Sequence, residues 1–160
     1  MIPKHRVKKV FRGANSINLD SKGRIAIPAK YRSSIIESTA SHLILTCDPY
    51  DNCLLLFTLD HWESTETDLQ SLSNSKPLHR RLKRIMLSHA SEVDMDANGR
   101  LLIPNVLRER AKLQKAVMLI GQGKTFQLWD ENHWHKLAEE DMSVMSSDEL
   151  DSDDLPDLYY

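Results

Sequence analysis

The stretch Asp20–Pro28 reads DSKGRIAIP, and Asp96–Pro104 reads DANGRLLIP. Asp, Gly, Arg, Ile and Pro recur at the same five of the nine places. The Asp side chain can accept backbone N–H bonds inside a turn, and Gly supplies the left-handed conformation that a three-residue hairpin loop requires. Strand periodicity flanks the turn: Ile17 and Leu19 alternate with Asn18, and Ile25 and Ile27 alternate with Ala26. Pro28 and Pro104 end the strand and suit the first turn of a helix, where a missing N–H costs nothing. One chain therefore carries the same strand–turn–strand unit twice.

The likeness runs further. Tyr31–Arg32 is matched at the same offset by Leu107–Arg108. HLILTC (His42–Cys47), a turn DPYDN (Asp48–Asn52) and CLLLFT (Cys53–Thr58) correspond to AVMLI (Ala116–Ile120), a shorter turn GQGK (Gly121–Lys124) and TFQLW (Thr125–Trp129). Each copy closes on a His-Trp pair, His61–Trp62 and His133–Trp134. Self-similarity of this kind marks a duplicated module, here of about fifty residues. Each copy reads strand, turn, strand, short helix and hairpin, with Tyr31 and Ile35 sharing one face of the helix.

The expected organisation is a basic arm over 1–13, a first module over 14–61, a helical linker over 62–90 and a second module over 91–134. Residues 135–160 are expected to start a C-terminal helix and end in a disordered acidic tail. Asp60 with Glu63 is expected to form a capping box, with Leu69 and Leu72 following at helical spacing. SNSKP (Ser73–Pro77) breaks the chain. A second linker helix carries Leu78, Leu82, Ile85 and Met86 on one face and Arg80, Arg81, Lys83 and Arg84 on the others.

Charge is unevenly spread over the 160 residues. The net charge is −2, yet the last 22 residues hold nine acids and no Lys or Arg. Residues 1–138 thus carry 21 basic against 14 acidic side chains, a net +7. A basic body suits a polyanion, although a solvated charged face reads the same way. No apolar run approaches the roughly 18 residues of a membrane span. Two cysteines, Cys47 and Cys53, give no disulfide framework, so a reducing cytoplasm is expected. P-loop, Gly-x-Ser-x-Gly and dinucleotide-binding motifs are all missing, and no metal-ligand spacing recurs. Neither an enzyme nor a resident cofactor or metal is expected.

The arginine behind each glycine remains. It projects from a tight turn, and two readings stand side by side: an ion pair with Asp20 or Asp96 that braces the turn, or a contact with a partner. A packed duplication carries a pseudo-two-fold axis, which would set Arg24 and Arg100 as a symmetric basic pair. Guanidinium groups clamp phosphates and read guanine edges bidentately.

FRGANSINLDSKGRIAIPAKYR (Phe11–Arg32), LSHASEVDMDANGRLLIP (Leu87–Pro104) and LWDENHW (Leu128–Trp134) closely resemble the MraZ family, tandem relatives of the AbrB and SpoVT swapped-hairpin domains. The resemblance covers Phe11 to about Met142 and implies an α+β, β-rich fold. In it, two tandem modules form a pseudo-two-fold, barrel-like core with connecting and C-terminal helices. It also implies a cytoplasmic, nucleoid-associated transcription regulator. Such a protein assembles into rings of eight or twelve, binds short direct repeats upstream of its own division and cell-wall operon, and usually represses it. The family's first-motif arginine falls on Arg24. Arg100 is its second-copy counterpart, and Lys22, Arg12 and Arg32 are added as phosphate contacts for their charge and nearness in sequence. Family chains typically begin at a Met in place of Val10, so residues 1–9 are expected to be either a genuine basic arm or the product of a misassigned start. AbrB-like modules also occur in antitoxins that neutralise a partner protein; this is the alternative function.

Overall fold

In the computed structural model, which describes residues 10–147 and 154–158, each copy runs in the order its pattern predicts. The first copy gives β1 (Phe11–Asn18), β2 (Arg24–Ala26), α1 (Ala29–Thr39), β3 (His42–Cys47) and β4 (Leu54–Thr58). Two helices follow, α2 (Leu59–Ser71) and α3 (Pro77–Met86). The second copy gives β5 (Ser91–Asp94), β6 (Arg100–Leu102), α4 (Asn105–Arg110), β7 (Ala116–Gly123), β8 (Thr125–Asp130) and α5 (Glu131–Met145).

The first strand of each copy pairs with the hairpin of the other. β1 lies antiparallel to β7, from Phe11 opposite Gly123 to Asn18 opposite Ala116. β5 lies on β3, with Leu43 opposite Val93. The two hairpins join through β4 and β8, giving a six-stranded sheet in the order β1-β7-β8-β4-β3-β5. Exchanging the copies reads this order backwards, so the two modules are related by a pseudo-two-fold axis. β2 and β6 form a separate two-stranded ribbon, with Ile25 opposite Leu101 at its centre. The fold is α+β and strand-rich, as the family resemblance implies.

Side-chain alternation settles which face of the ribbon is inside. Ile25 and Leu101 are 1% and 0% exposed, and Ile27 and Ile103 continue the same buried row. With them pack Tyr31 and Ile35 from α1, Leu107 from α4 and the inner residues of the hairpins, including Leu45, Leu56, Leu119 and Leu128. Phe11 stacks on Phe126 with centroids 4.2 Å apart, and Tyr31 meets Phe126 edge-on at 4.9 Å. The Tyr31 hydroxyl donates to the Arg12 carbonyl, and Asn15 Nδ2 donates to Tyr31 Oη at 3.0 Å. These contacts fasten β1 across the start of α1. The recurrent His-Trp pairs serve packing and capping: Trp62 meets Phe57 at 5.2 Å, and the Asp130 carboxylate accepts the His133 N–H at the start of α5.

Several local expectations differ. The stretch after β1 turns at Gly23, but β2 leaves that turn to pair with β6 instead of folding back on β1. GQGK is not the loop between β7 and β8, because Gln122 still pairs with Thr125. The turn shrinks to Gly123–Lys124, with Gly123 at φ +81°, a two-residue connection whose twist suits a hairpin. Asp60 with Glu63 forms no capping box: α2 starts at Leu59 after Thr58, which makes no side-chain cap bond, and Asp60 lies within the first turn. On α3 the apolar stripe is graded, with Met86 buried and Leu78 74% exposed. β1 begins at Phe11, inside the stretch expected as an arm, while residues 1–9 and, in the acidic tail expected to be disordered, 148–153 and 159–160 lie outside the described residues.

Truncating the ribbon's inner side should cost far more than truncating its outer side. Ile25→Ala or Leu101→Ala is expected to destabilise by about 2–5 kcal/mol, the cost of a large-to-small change in a closed core. Leu102→Ala, one residue along and exposed, should stay within about 0.5 kcal/mol. Urea midpoints at constant slope test the difference.

Candidate nucleic-acid interface

The geometry of each arginine begins with the aspartate four residues before it. Asp20 Oδ1 accepts the backbone N–H groups of Lys22 and Arg24, both at 2.9 Å, and Oδ2 accepts Arg24 Nε at 2.8 Å. Backbone bonds close the loop, from Asp20 N–H to Arg24 C=O and from Gly23 N–H to Asp20 C=O. The second copy repeats every bond: Asp96 Oδ1 accepts Asn98 N–H and Arg100 N–H, and Oδ2 accepts Arg100 Nε at 2.9 Å. Gly23 and Gly99 sit at φ +79° and +76°, a region that other residues enter only at a cost.

The ion pair that braces the turn is present in both copies, Arg24 with Asp20 and Arg100 with Asp96. It uses only Nε of each guanidinium, and the terminal Nη groups of Arg24 and Arg100 have no partner among the described residues. An arginine held at Nε presents a planar, oriented fork, and little rotamer freedom is left to lose on binding. Both project on the outer face of the ribbon, since they alternate with buried Ile25 and Leu101. Register puts Arg24 opposite Leu102 and Arg100 opposite Ala26, so the outer face reads Arg, Ala, Leu and Arg.

Arg32 and Arg108 do something else. A side chain at Gly99 would collide with the Arg32 guanidinium at Nε. A side chain at Gly23 would likewise meet Arg108 Nη1 at 2.7 Å. Each of these arginines thus crosses from its own helix onto the glycine turn of the other copy. Arg32 Nε donates to the Ile27 carbonyl at 2.7 Å, and Arg108 Nη2 donates to Asn105 Oδ1. Arg108 matters to the site but was not singled out in the sequence; its signal was its place at the same offset as Arg32.

The remaining candidates are scattered. Lys22 is exposed in the first turn, and Asn98 takes its place in the second. Arg12 is exposed in β1, six residues before Asn18, hence about 20 Å along an extended strand from the turn. On α3, Arg80 and Lys83 bind Asn74, at its backbone carbonyl and Oδ1 respectively. Arg81 and Arg84 line a shallow pocket with Ile85, His89 and Arg110. Cys47 and Cys53 are buried and form no disulfide, and burial pushes both thiols up from their ordinary range, so they are packing residues. Among the described residues no group of His, Cys, Asp and Glu is placed to hold a metal, and no helix is long and apolar enough to cross a membrane.

The turn aspartates leave a signature in pH. The Arg24 backbone N–H, then its guanidinium and the Lys22 N–H, hold the Asp20 carboxyl below its ordinary value, and Asp96 is lowered in the same way by Arg100 and Asn98. A carboxylate lowered in the folded state stabilises the fold above its ordinary value of 3.8 and loses that contribution as pH falls below it. Carboxyl-carbon NMR should therefore show Asp20 and Asp96 titrating below 3.8. Wild type should lose more stability than Asp20→Asn/Asp96→Asn between pH 5 and about pH 3. Gly23→Ala and Gly99→Ala should each lower the melting temperature, because both strain the turn and displace an arginine from the other copy.

Comparison with known proteins agrees with this duplicated geometry. The family model for MraZ protein, described as antitoxin-like, matches residues 10–85 and again 86–156. A protein of Haemophilus influenzae named transcriptional regulator MraZ is 47% identical over 149 residues, covering 93% of this chain and 99% of its own. Its namesake in Escherichia coli is 49% identical over 135 residues, covering 84% and 89%. The namesake in Hydrogenovibrio crunogenus is 51% identical over 124 residues, covering 78% and 82%. These relatives are regulators by name. With two matches in tandem and near-half identity over most of its length, the chain belongs to the MraZ family of transcriptional regulators.

Proposed function

We propose that this chain is a sequence-specific DNA-binding regulator that represses its own division and cell-wall operon. It binds short direct repeats upstream of the promoter as a ring of eight or twelve copies, in the cytoplasm at the nucleoid. The observation that carries the reading is the pair of Asp-braced arginines on the outer face of one two-stranded ribbon. A two-stranded ribbon fits the major groove, where guanine offers two acceptors to an arginine fork. Arg24 and Arg100 are the base-edge or phosphate contacts, and Lys22 adds a phosphate contact beside Arg24. Arg12 is an outlying phosphate contact. Arg32 contributes chiefly by holding the Gly99 turn, and Arg108 by holding the Gly23 turn. A ring would present this weak unit many times, and linked weak sites gain avidity on a target whose repeats match their spacing.

Copy one is the stronger half, because its turn carries Lys22 where copy two carries Asn98. Fluorescence anisotropy against the chain's own upstream DNA and a scrambled duplex tests both claims. Arg24→Ala should weaken repeat-specific binding about tenfold or more, the scale of losing one bidentate arginine contact. Arg100→Ala should weaken it less. A salt series should give a slope of about 0.9 per phosphate contacted. Equal, weak binding to both duplexes would reduce the basic body to generic charge.

A further inference from the structure

The outer face of the ribbon is not symmetric, although its backbone is. Leu102 is 57% exposed there, directly opposite Arg24, while the equivalent place opposite Arg100 holds Ala26. Packing does not explain the leucine: its neighbours Leu101 and Ile103 are at most 1% exposed and fill the core without it. Residues directly opposite on an antiparallel pair have Cβ atoms about 5 Å apart, so Leu102 and Arg24 are cross-strand neighbours on one face. Lys22 belongs to the same half. One end of the face thus offers two cations and an apolar contact, and the other offers one cation, an amide and a methyl group.

Resting on the DNA reading above, we propose that Leu102 is a specificity residue that packs against the 5-methyl group of a thymine next to the base or phosphate held by Arg24. The thymine methyl is the one apolar feature of the major groove, and an aliphatic side chain recognises it by contact. The charges around Leu102 favour nucleic acid over an apolar protein surface, because Lys22, Arg24 and Arg100 would all have to be desolvated against such a partner. The leucine makes the face directional: a site read by it has a thymine at the Arg24 end and none required at the Arg100 end. Direct repeats have such a polarity, and a palindrome does not.

Replacing thymine by uracil in the upstream duplex removes only the methyl groups and tests the proposal. Wild type should bind the uracil duplex about fourfold more weakly for each methyl that Leu102 covers. Leu102→Ala should bind the thymine duplex with the same loss and should not distinguish the two duplexes. Equal affinity of wild type for both would overturn the proposal while leaving DNA binding intact. Failure of wild type to prefer its upstream DNA over a scrambled duplex would overturn the DNA reading itself. Size-exclusion chromatography with light scattering supplies the remaining arm: a change of assembly size in Leu102→Ala would make the leucine a contact between copies and overturn its role in reading DNA.

Discussion

The pairing of Ile25 with Leu101 is the constraint on which the rest of the molecule depends. β2 and β6 are three residues each, too short to hold as strands alone. They persist because each is the other's partner and because their inner side chains close the core beneath the hairpins. The ribbon then extends into the turns: Ile27 N–H donates to Gly99 C=O at 2.8 Å, and Ile103 N–H to Gly23 C=O at 2.9 Å. The turn of one copy is therefore bonded to the strand end of the other. Arg32 and Arg108 make the same exchange with side chains. Each turn orients its own arginine locally, and the ribbon fixes the two turns relative to one another.

Much of this was legible in the sequence, and what was missed has a common cause. The Asp-x-x-Gly-Arg turns, the strand periods, the Tyr31–Ile35 face and the hairpins are local, and residues near in sequence decide them. Partner choice is not local. The pattern around Ile25 fixes which side chains point inward, but it carries no information on whether β2 folds back on β1 or crosses to β6. The crossing of Arg32 onto Gly99 is invisible for the same reason, since a surface arginine and a glycine in a turn look alike whether or not they touch. Turn composition misled at GQGK, where Gly121 serves the close approach of β1 and lies within β7 rather than in its loop. It misled again at Asp60, where a matching capping pattern was overruled by β4 running directly into α2.

The two turn motifs also show which positions an internal duplication leaves free to diverge. Asp, Gly, Arg, Ile and Pro are shared, and each has a backbone or core duty: acceptor, left-handed corner, braced fork, buried row and strand end. Of the four places that differ, Ser21/Ala97, Lys22/Asn98 and Ala26/Leu102 are exposed. The fourth, Ile25/Leu101, swaps two aliphatic side chains of equal size in the core, the kind of change that close packing tolerates best. Symmetry is thus held where hydrogen bonds and packing require it and lost where only solvent or a partner is met.

That distribution has a consequence for binding. A strictly two-fold ribbon would present the same face in either direction, and a partner could engage it in two equivalent orientations. Divergence on the exposed face removes that degeneracy without disturbing the pairing of Ile25 with Leu101, because neither Lys22 nor Leu102 takes part in the core. Orientation matters most when several copies must engage one partner together: subunits related by rotation in a ring meet successive sites in the same sense, and only a face with a defined direction keeps all of them in register. For the repeated, directional target proposed above, an asymmetric surface on a symmetric scaffold would give every subunit the same sense of engagement.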